Sequence, residues 1–226
     1  MQIIVLLSGG LDSATALALC RAEGHVCHAL SFDYGQRHAV ELQAAARVAR
    51  ALGAASHRVC KIDLGGIGGS ALTGQGAVPK GRSQAEIGRG IPATYVPGRN
   101  TLFVAHALAV AEILGAERIA LGINVLDSSG YPDCRPEWLV AMQEVARLGT
   151  RVGVEGRPVE LVAPLLGMSK AEIIRAGVGL EVDYRLTHSC YDPAPDGAAC
   201  GACDSCQIRR RGFEQAGVAD PTRYAL

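Results

Sequence analysis

Aromatic side chains are scarce in this chain, 4% of 226 residues, and lysine occurs only three times. Acidic and basic residues balance at 22 each, so no net field gathers a polyanion and no nucleic-acid partner is expected. The opening apolar run, Ile3-Ile4-Val5-Leu6-Leu7, falls far short of the ~20 residues of a membrane span and lacks the basic leader and cleavage pattern of a secretory signal. A cytoplasmic protein without a membrane partner is the expectation. Two nucleotide-binding signatures are missing as well. No Gly-x-x-x-x-Gly-Lys-Ser/Thr loop occurs, and Gly9-Gly10 does not extend to Gly-x-Gly-x-x-Gly, which argues against Walker-type and dinucleotide sites. No side chain stands out as a covalent nucleophile.

What the chain does have is a strand, a glycine turn and a helix close to its start. The apolar run leads directly into Ser8-Gly9-Gly10-Leu11-Asp12-Ser13 and then Ala14-Thr15-Ala16-Leu17. Two glycines let the backbone turn tightly and approach a ligand, and the free N–H groups of the following helix's first turn face the same point, which suits phosphate. Ser8 and Ser13 add hydroxyl donors, and Asp12 suits a magnesium ion or hydrogen bonds that fix the loop. A plain strand-to-helix turn would use the same residues, so the loop alone leaves both readings open. Its wording, Ser-Gly-Gly-x-Asp-Ser, resembles the PP-loop of the ATP pyrophosphatases, enzymes that bind ATP and usually activate an oxygen atom by adenylation.

Hydrophobic residues make up 49% of the chain, enough for one sizeable α/β domain with a small appendage. Strands and helices alternate along it. After a helix over 14–23, residues 25–32 read as a second buried strand, with Asp33-Tyr34-Gly35-Gln36-Arg37-His38 at its carboxyl end. Ligands gather at such ends in open parallel sheets. A helix over 38–52 and a strand over 56–63 follow, and then the periodicity breaks from Gly65 to Gly90. That glycine-rich stretch is expected to be a mobile flap near the substrate or a disordered insertion. Pro92, Pro97 and Gly98 fix the chain ahead of an apolar helix over 101–114. They present Arg99, suited to clamp a phosphate or carboxylate, and Asn100, suited to cap the helix. A fourth strand, 118–124, runs into Asp127, Tyr131, Asp133, Cys134 and Arg135. The acids suit magnesium or substrate donors, and Tyr131 suits stacking on a flat ring. A helix over 136–148, a fifth strand over 159–165 and a capping box at Ser169-Lys170-Ala171-Glu172 complete a core domain that should end near Val182. Lys170 suits a phosphate contact or plain solvation.

The eight cysteines divide into two sets. Cys20, Cys27 and Cys60 fall in apolar patterns and read as buried small hydrophobes, while Cys134 lies beside the proposed rim. Cys190, Cys200, Cys203 and Cys206 crowd the tail in two overlapping Cys-x-x-Cys units, a set that fills a structural zinc site with no open position. In a short tail with few hydrophobes, such binding supplies folding free energy that a core cannot. An iron–sulfur cluster is the competing reading. Arg209-Arg210-Arg211 reads as a solvated helix face.

Together, Ser8 to Ser13, Phe32 to His38, Val96-Pro97-Gly98-Arg99-Asn100, Ser129-Gly130-Tyr131-Pro132-Asp133-Cys134-Arg135 and the Cys190 to Cys206 cluster resemble the 7-cyano-7-deazaguanine synthases, the QueC family of queuosine biosynthesis. The resemblance covers nearly the whole chain, with the stretch from Gly65 to Gly90 as its main departure. It implies a parallel-sheet α/β domain of the PP-loop, adenine nucleotide α-hydrolase-like type over 1–182 and a small C-terminal zinc-binding region over 183–226. It also implies a ligase that turns 7-carboxy-7-deazaguanine, ammonia and ATP with magnesium into 7-cyano-7-deazaguanine, carrying one structural zinc ion per chain and pairing as a homodimer. On this reading Leu7-Ser8-Gly9-Gly10-Leu11-Asp12-Ser13-Ala14-Thr15, with Phe32 and Asp33, hold ATP. Arg99, Asn100, Asp127, Tyr131, Asp133 and Arg135 face the deazaguanine, and Asp12, Arg99, Asp127 and Asp133 carry the catalysis. The alternative is another PP-loop adenylating enzyme, an amidating ligase or a tRNA thiolase. A zinc-finger-like module on an inactive nucleotide fold is a third reading, against which the intact loop counts.

Overall fold

A computed structural model describes residues 1–36, 40–74, 76–126 and 130–225. Its strands are β1 Gln2–Leu6, β2 Val26–Asp33, β3 Ser56–Lys61, β4 Arg118–Ala120 and β5 Glu160–Val162. They form one sheet in the order β3-β2-β1-β4-β5, and every neighbouring pair is parallel. The first three strands step outward on one side of β1 and the last two on the other. The direction of winding therefore reverses between β1 and β4, which opens a crevice at their carboxyl ends.

The helices are α1 Leu11–Ala22, α2 Val40–Ala51, α3 Gln84–Ile87, α4 Arg99–Leu114, α5 Pro136–Gly149, α6 Arg151–Val154, α7 Lys170–Gly179 and α8 Asp204–Ala216. A parallel sheet must be covered on both faces, and the central strand shows it: Ile3, Ile4 and Val5 are all buried. One core gathers Leu17 of α1, Val48 of α2, Ile173 and Ile174 of α7 and Phe213 of α8. The other gathers Val104 and Leu108 of α4 with Met142 and Ala146 of α5. Among the described residues no helix is long and apolar enough to cross a membrane.

Three departures from the sequence pattern bear on the site. Gly10 takes the cap position of α1, so the helix begins three residues before the apolar run suggests, and Asp12 and Ser13 belong to its first turn. Gly98, with φ at 66°, starts α4 at Arg99 rather than Thr101. Asn100 is thus not the cap: it lies inside the first turn, and its N–H donates to the Asp133 carboxylate at 2.9 Å. The fourth strand ends earlier than its apolar run, because after Leu121 the chain turns beneath the glycine loop, and the fifth ends at Val162. A Cβ on Gly122 would lie 2.9 Å from the Cα of Ser13, so this approach requires glycine.

The tail is built into both cores. Tyr184 meets Phe213 edge-on with ring centres 5.5 Å apart on the α1 side, while Cys190, Cys203 and Cys206 sit among the α4-side residues. The glycine-rich stretch lies against the tail. Lys80 pairs with Asp192 at 2.7 Å, Arg82 with Asp204 at 2.8 Å, and the Gly81 N–H donates to the Ala202 carbonyl at 2.9 Å.

Candidate active site

A cleft of about 280 Å³ opens at the carboxyl ends of β1, β2 and β4. Its floor is the glycine loop. Gly9 has φ at 86°, and a Cβ there would lie 2.5 Å from both the Ala45 nitrogen and the Glu41 carbonyl oxygen. The loop therefore seats against the backbone of α2. The Ser8 N–H donates to Ser13 Oγ at 3.2 Å, the two hydroxyls lie 3.0 Å apart, and the Gly10 N–H donates to Ser8 Oγ at 3.3 Å. Leu7, Ser8, Gly10, Leu11, Asp12 and Ser13 line the cleft, with the positive end of α1 directed into it. Gly9, Ala14 and Thr15 lie behind it. Thr15 is fully buried and pairs with the Tyr184 hydroxyl at 2.8 Å.

Lys170 is not solvated. It is buried, and its Nζ lies 2.6 and 2.7 Å from the two Asp12 oxygens. A Cβ on Gly212 of α8 would meet Lys170 Cγ at 2.3 Å, so the bare backbone of α8 makes the channel for this side chain.

At the other end of the cleft the scarce aromatics collect. Five of the chain's ten, Phe32, Tyr34, Phe103, Tyr131 and Tyr191, line this one cavity. Phe32 stacks on Phe103 with centres 4.0 Å apart and planes 6° from parallel. The Arg99 guanidinium carbon sits 5.9 Å from the ring centres of Tyr34, Phe103 and Tyr131. A cation is stabilised electrostatically beside ring faces, and the Arg99 Nε donates to Asn100 Oδ1 at 3.4 Å. The Tyr131 hydroxyl pairs with Thr94 Oγ1 at 2.9 Å and with the Tyr191 hydroxyl at 3.4 Å.

Other expected residues lie elsewhere. Asp133 is buried and outside the lining; it anchors the first turn of α4, and the Asn100 amide returns a bond to its carbonyl at 2.9 Å. Asn100 itself does face the cleft. Asp33 is absent from the lining, its carbonyl taken by the Ile62 N–H. Arg135 is exposed, turned back onto the Pro132 carbonyl at 3.2 Å. Asp127, Arg37, His38, Ser128 and Ser129 fall outside the described residues.

The four tail cysteines have Sγ atoms all within 4.8 Å of one another. Tetrahedral zinc–sulfur bonds of ~2.3 Å put sulfurs ~3.8 Å apart, so the cluster fits such an ion. The donor chemistry agrees. Backbone N–H groups of Cys200 and Cys203 donate to the sulfurs of Cys190 and Cys200 at 3.2 and 3.3 Å.

The family profile for queuosine biosynthesis protein QueC matches residues 2–217. The chain belongs to the QueC family. Among relatives of this QueC chain, the 7-cyano-7-deazaguanine synthase of Anaeromyxobacter dehalogenans is 60% identical over 225 residues, covering 99% of this chain and 96% of that protein. The 7-cyano-7-deazaguanine synthase of Solidesulfovibrio magneticus is 58% identical over 224 residues, covering 99% and 95%. A solved 4-thiouridine synthetase, crystallised with RNA and bound ATP, shares the fold. Its TM-score is 0.51 at 18% identity, over 96% of this chain and 50% of that one.

Several lining residues of this QueC chain escape a reading by motif. Arg209 corrects the expectation of a solvated arginine face: it is 3% exposed and donates to Thr187 Oγ1 at 2.8 Å, the Tyr184 carbonyl at 3.2 Å and Asp220 at 3.1 Å. Its signal in the sequence is spacing, since Cys206, Arg209 and Phe213 share one helix face. Ser189 and Tyr191 flank a metal-type cysteine and carry no pattern of their own.

Glu41 is also among the missed residues. It lies in the first turn of α2, faces the cleft half-buried, and burial pushes its carboxyl up to about 7 against the pull of Arg99. A carboxyl raised in the folded state lends stability that is complete below its unfolded pKa and is lost as pH rises through the folded value. Glu41→Gln is therefore expected to gain on the wild type between pH 4.5 and pH 7.5 and to hold a constant lead above pH 8. Solvent in the cleft limits that lead to about 1 kcal/mol. Paired urea melts across the range check it, and a pH-independent difference would refute it.

Proposed function

We propose that this QueC chain makes 7-cyano-7-deazaguanine from 7-carboxy-7-deazaguanine, ammonia and ATP. The observation that carries the reading is the glycine loop at the reversal point of the sheet, facing an aromatic, arginine-bearing pocket, in a chain so close to named synthases over its full length. A carboxylate is a poor electrophile, and transfer of its oxygen to the α-phosphorus of ATP makes a leaving group that ammonia displaces. The amide must then lose its own oxygen to become a nitrile, so a second activation follows in the same cleft.

In this proposal the loop from Leu7 to Ser13 cradles the phosphates and Phe32 borders the adenosine. Asp12 and Lys170, paired in this structure, separate when nucleotide enters, Lys170 toward phosphate and Asp12 toward magnesium. Arg99 receives the substrate carboxylate and screens its approach to the α-phosphate. Tyr131 stacks on or hydrogen-bonds the deazaguanine, and Asp127 is a further binding residue for it. Asp133 acts as a positioning residue, through α4. The tail cysteines hold one zinc ion that braces the fold, the division at 182/183 separates nucleotide-binding and metal-binding parts, and the chain works as a cytoplasmic homodimer without nucleic acid. A thiolase reading is disfavoured at Cys134, the one cysteine among the described residues of the cleft lining: burial pushes its thiol up to about 12, and a protonated thiol is a poor nucleophile.

Mass spectrometry of base and nucleotide after incubation with magnesium ATP, ammonium and 7-carboxy-7-deazaguanine tests the reading. A nitrile with AMP and pyrophosphate is expected, and Arg99→Lys should lower kcat/KM for the base roughly 100-fold without weakening ATP. A nitrile with ADP would keep the function and overturn the adenylation. No base product from a chain that binds ATP would sink the function.

A further inference from the structure

Three hydroxyls surround the start of α1, and they are not equivalent. Ser8 and Ser13 satisfy each other, and Ser13 also donates to the Gly10 carbonyl at 3.2 Å. Ser189 comes from the tail, one residue before Cys190, and lines the same cleft. A Cβ on Gly10 would lie 3.4 Å from Ser8 Oγ, 3.6 Å from the His188 carbonyl oxygen and 3.8 Å from Ser189 Oγ, so both hydroxyls border the bare backbone at this glycine.

A serine hydroxyl has two lone pairs and one proton. The Ser189 oxygen accepts from Arg209 Nη1 at 3.3 Å and from the Leu11 N–H at 3.5 Å. Both partners are donors with nothing to accept: guanidinium has no lone pair to offer, and neither has a backbone N–H. With its lone pairs turned to those groups, the hydroxyl can contribute only its proton, and it donates no hydrogen bond to a described residue. Arg209 is buried and held by three further groups, so this arrangement does not rotate away when a ligand arrives.

We infer that Ser189 is a binding residue for a phosphate oxygen of the nucleotide, its proton aimed into the cleft by Arg209 and the first turn of α1. The inference rests on the ATP reading of the loop. It gives the tail a part in ligand binding: the residue beside a metal-type cysteine completes the phosphate cradle. Ser8 and Ser13 shape the loop, and Ser189 supplies the donor that loop geometry does not.

Calorimetric titration of the metal-loaded chain with magnesium ATP and, separately, with adenosine tests it, with metal content measured on each protein. Ser189→Ala is expected to weaken ATP roughly 10-fold, leave adenosine unchanged and retain wild-type metal content, while Ser189→Thr, which keeps the hydroxyl, stays within about threefold of wild type. Ser189→Gly carries the same expectation should the alanine protein fail to fold. Wild-type ATP affinity in the alanine variant would overturn the inference alone, and an equal loss for ATP and adenosine would reduce Ser189 to a structural part. A wild-type chain that binds no ATP would overturn this inference together with the reading beneath it.

Discussion

Gly9→Ala is expected to bind no ATP at concentrations that saturate the wild type. The added methyl meets two obstacles at once. At φ of 86° an L side chain is strained by about 1–2 kcal/mol wherever it sits. Its Cβ would also lie 2.5 Å from the Ala45 nitrogen and the Glu41 carbonyl oxygen, atoms of a helix backbone that cannot swing aside as a side chain does. Such overpacking costs about 1–3 kcal/mol more, and it is relieved only by lifting the loop off α2. Lifting it breaks the bond from the His188 N–H to the Gly9 carbonyl, 2.8 Å in this structure, and shifts the N–H groups at the start of α1. Gly10→Ala is the control. That position has negative φ, and its Cβ would find no atom nearer than Ser8 Oγ at 3.4 Å, so the methyl fits into the mouth of the cleft and weakens ATP only in proportion to the space it fills. Equilibrium binding and thermal melts on the two variants decide it. Comparable ATP affinity for Gly9→Ala and the wild type would show that the loop does not depend on its seat against α2.

That pair of glycines also marks what a sequence can reveal. A β-branched run, two glycines and an alanine-rich helix are local features, and local features dictated β1, the loop and α1. The strand order follows from alternating elements only in outline, yet the loop's place at the carboxyl edge was legible because every parallel strand ends there. Contacts between distant segments were not. Gly122 looks like any glycine in a strand until the backbone of Ser13 is found above it. Asn100 before an apolar helix reads as a cap, and only the fold reveals that a carboxylate from 33 residues further on does the capping. Lys170 carries the same two meanings in the sequence, phosphate contact or solvent, and the glycine on α8 that lets it reach Asp12 lies forty-two residues beyond it. Aromatic scarcity was visible as a number. Its meaning, that half of these rings crowd one cavity, belongs to the tertiary structure.

The tail cysteines lead to the second large effect. Cys203→Ser, or chelation of the wild type, is expected to abolish ATP binding while leaving the sheet folded. Cys203 is wholly buried and its sulfur stands among three others within 4.8 Å, so removing it leaves a set of three whose remaining charges lose their common counter-ion. The consequence spreads through the neighbours of each ligand. Ser189 and Tyr191 flank Cys190 and line opposite ends of the cleft, one against the start of α1 and the other against Tyr131. The bridge from Lys80 to Cys203 and the ion pair from Arg82 to Asp204 tie the glycine-rich stretch to the same ligands, and Leu72 of that stretch reaches the cleft. With zinc held as proposed, its loss releases two walls of the cleft, whereas Ile3, Ile4 and Val5 keep their cover from α1 and α4. Hydrogen exchange should report it as faster exchange over residues 65–90 and 183–225 with β1 and β2 still protected, and restored zinc should recover both protection and ATP affinity in the chelated wild type but not in Cys203→Ser. A metal-free chain that binds ATP as well as the loaded one would show that the cysteine cluster braces the tail alone and has no part in shaping the cleft.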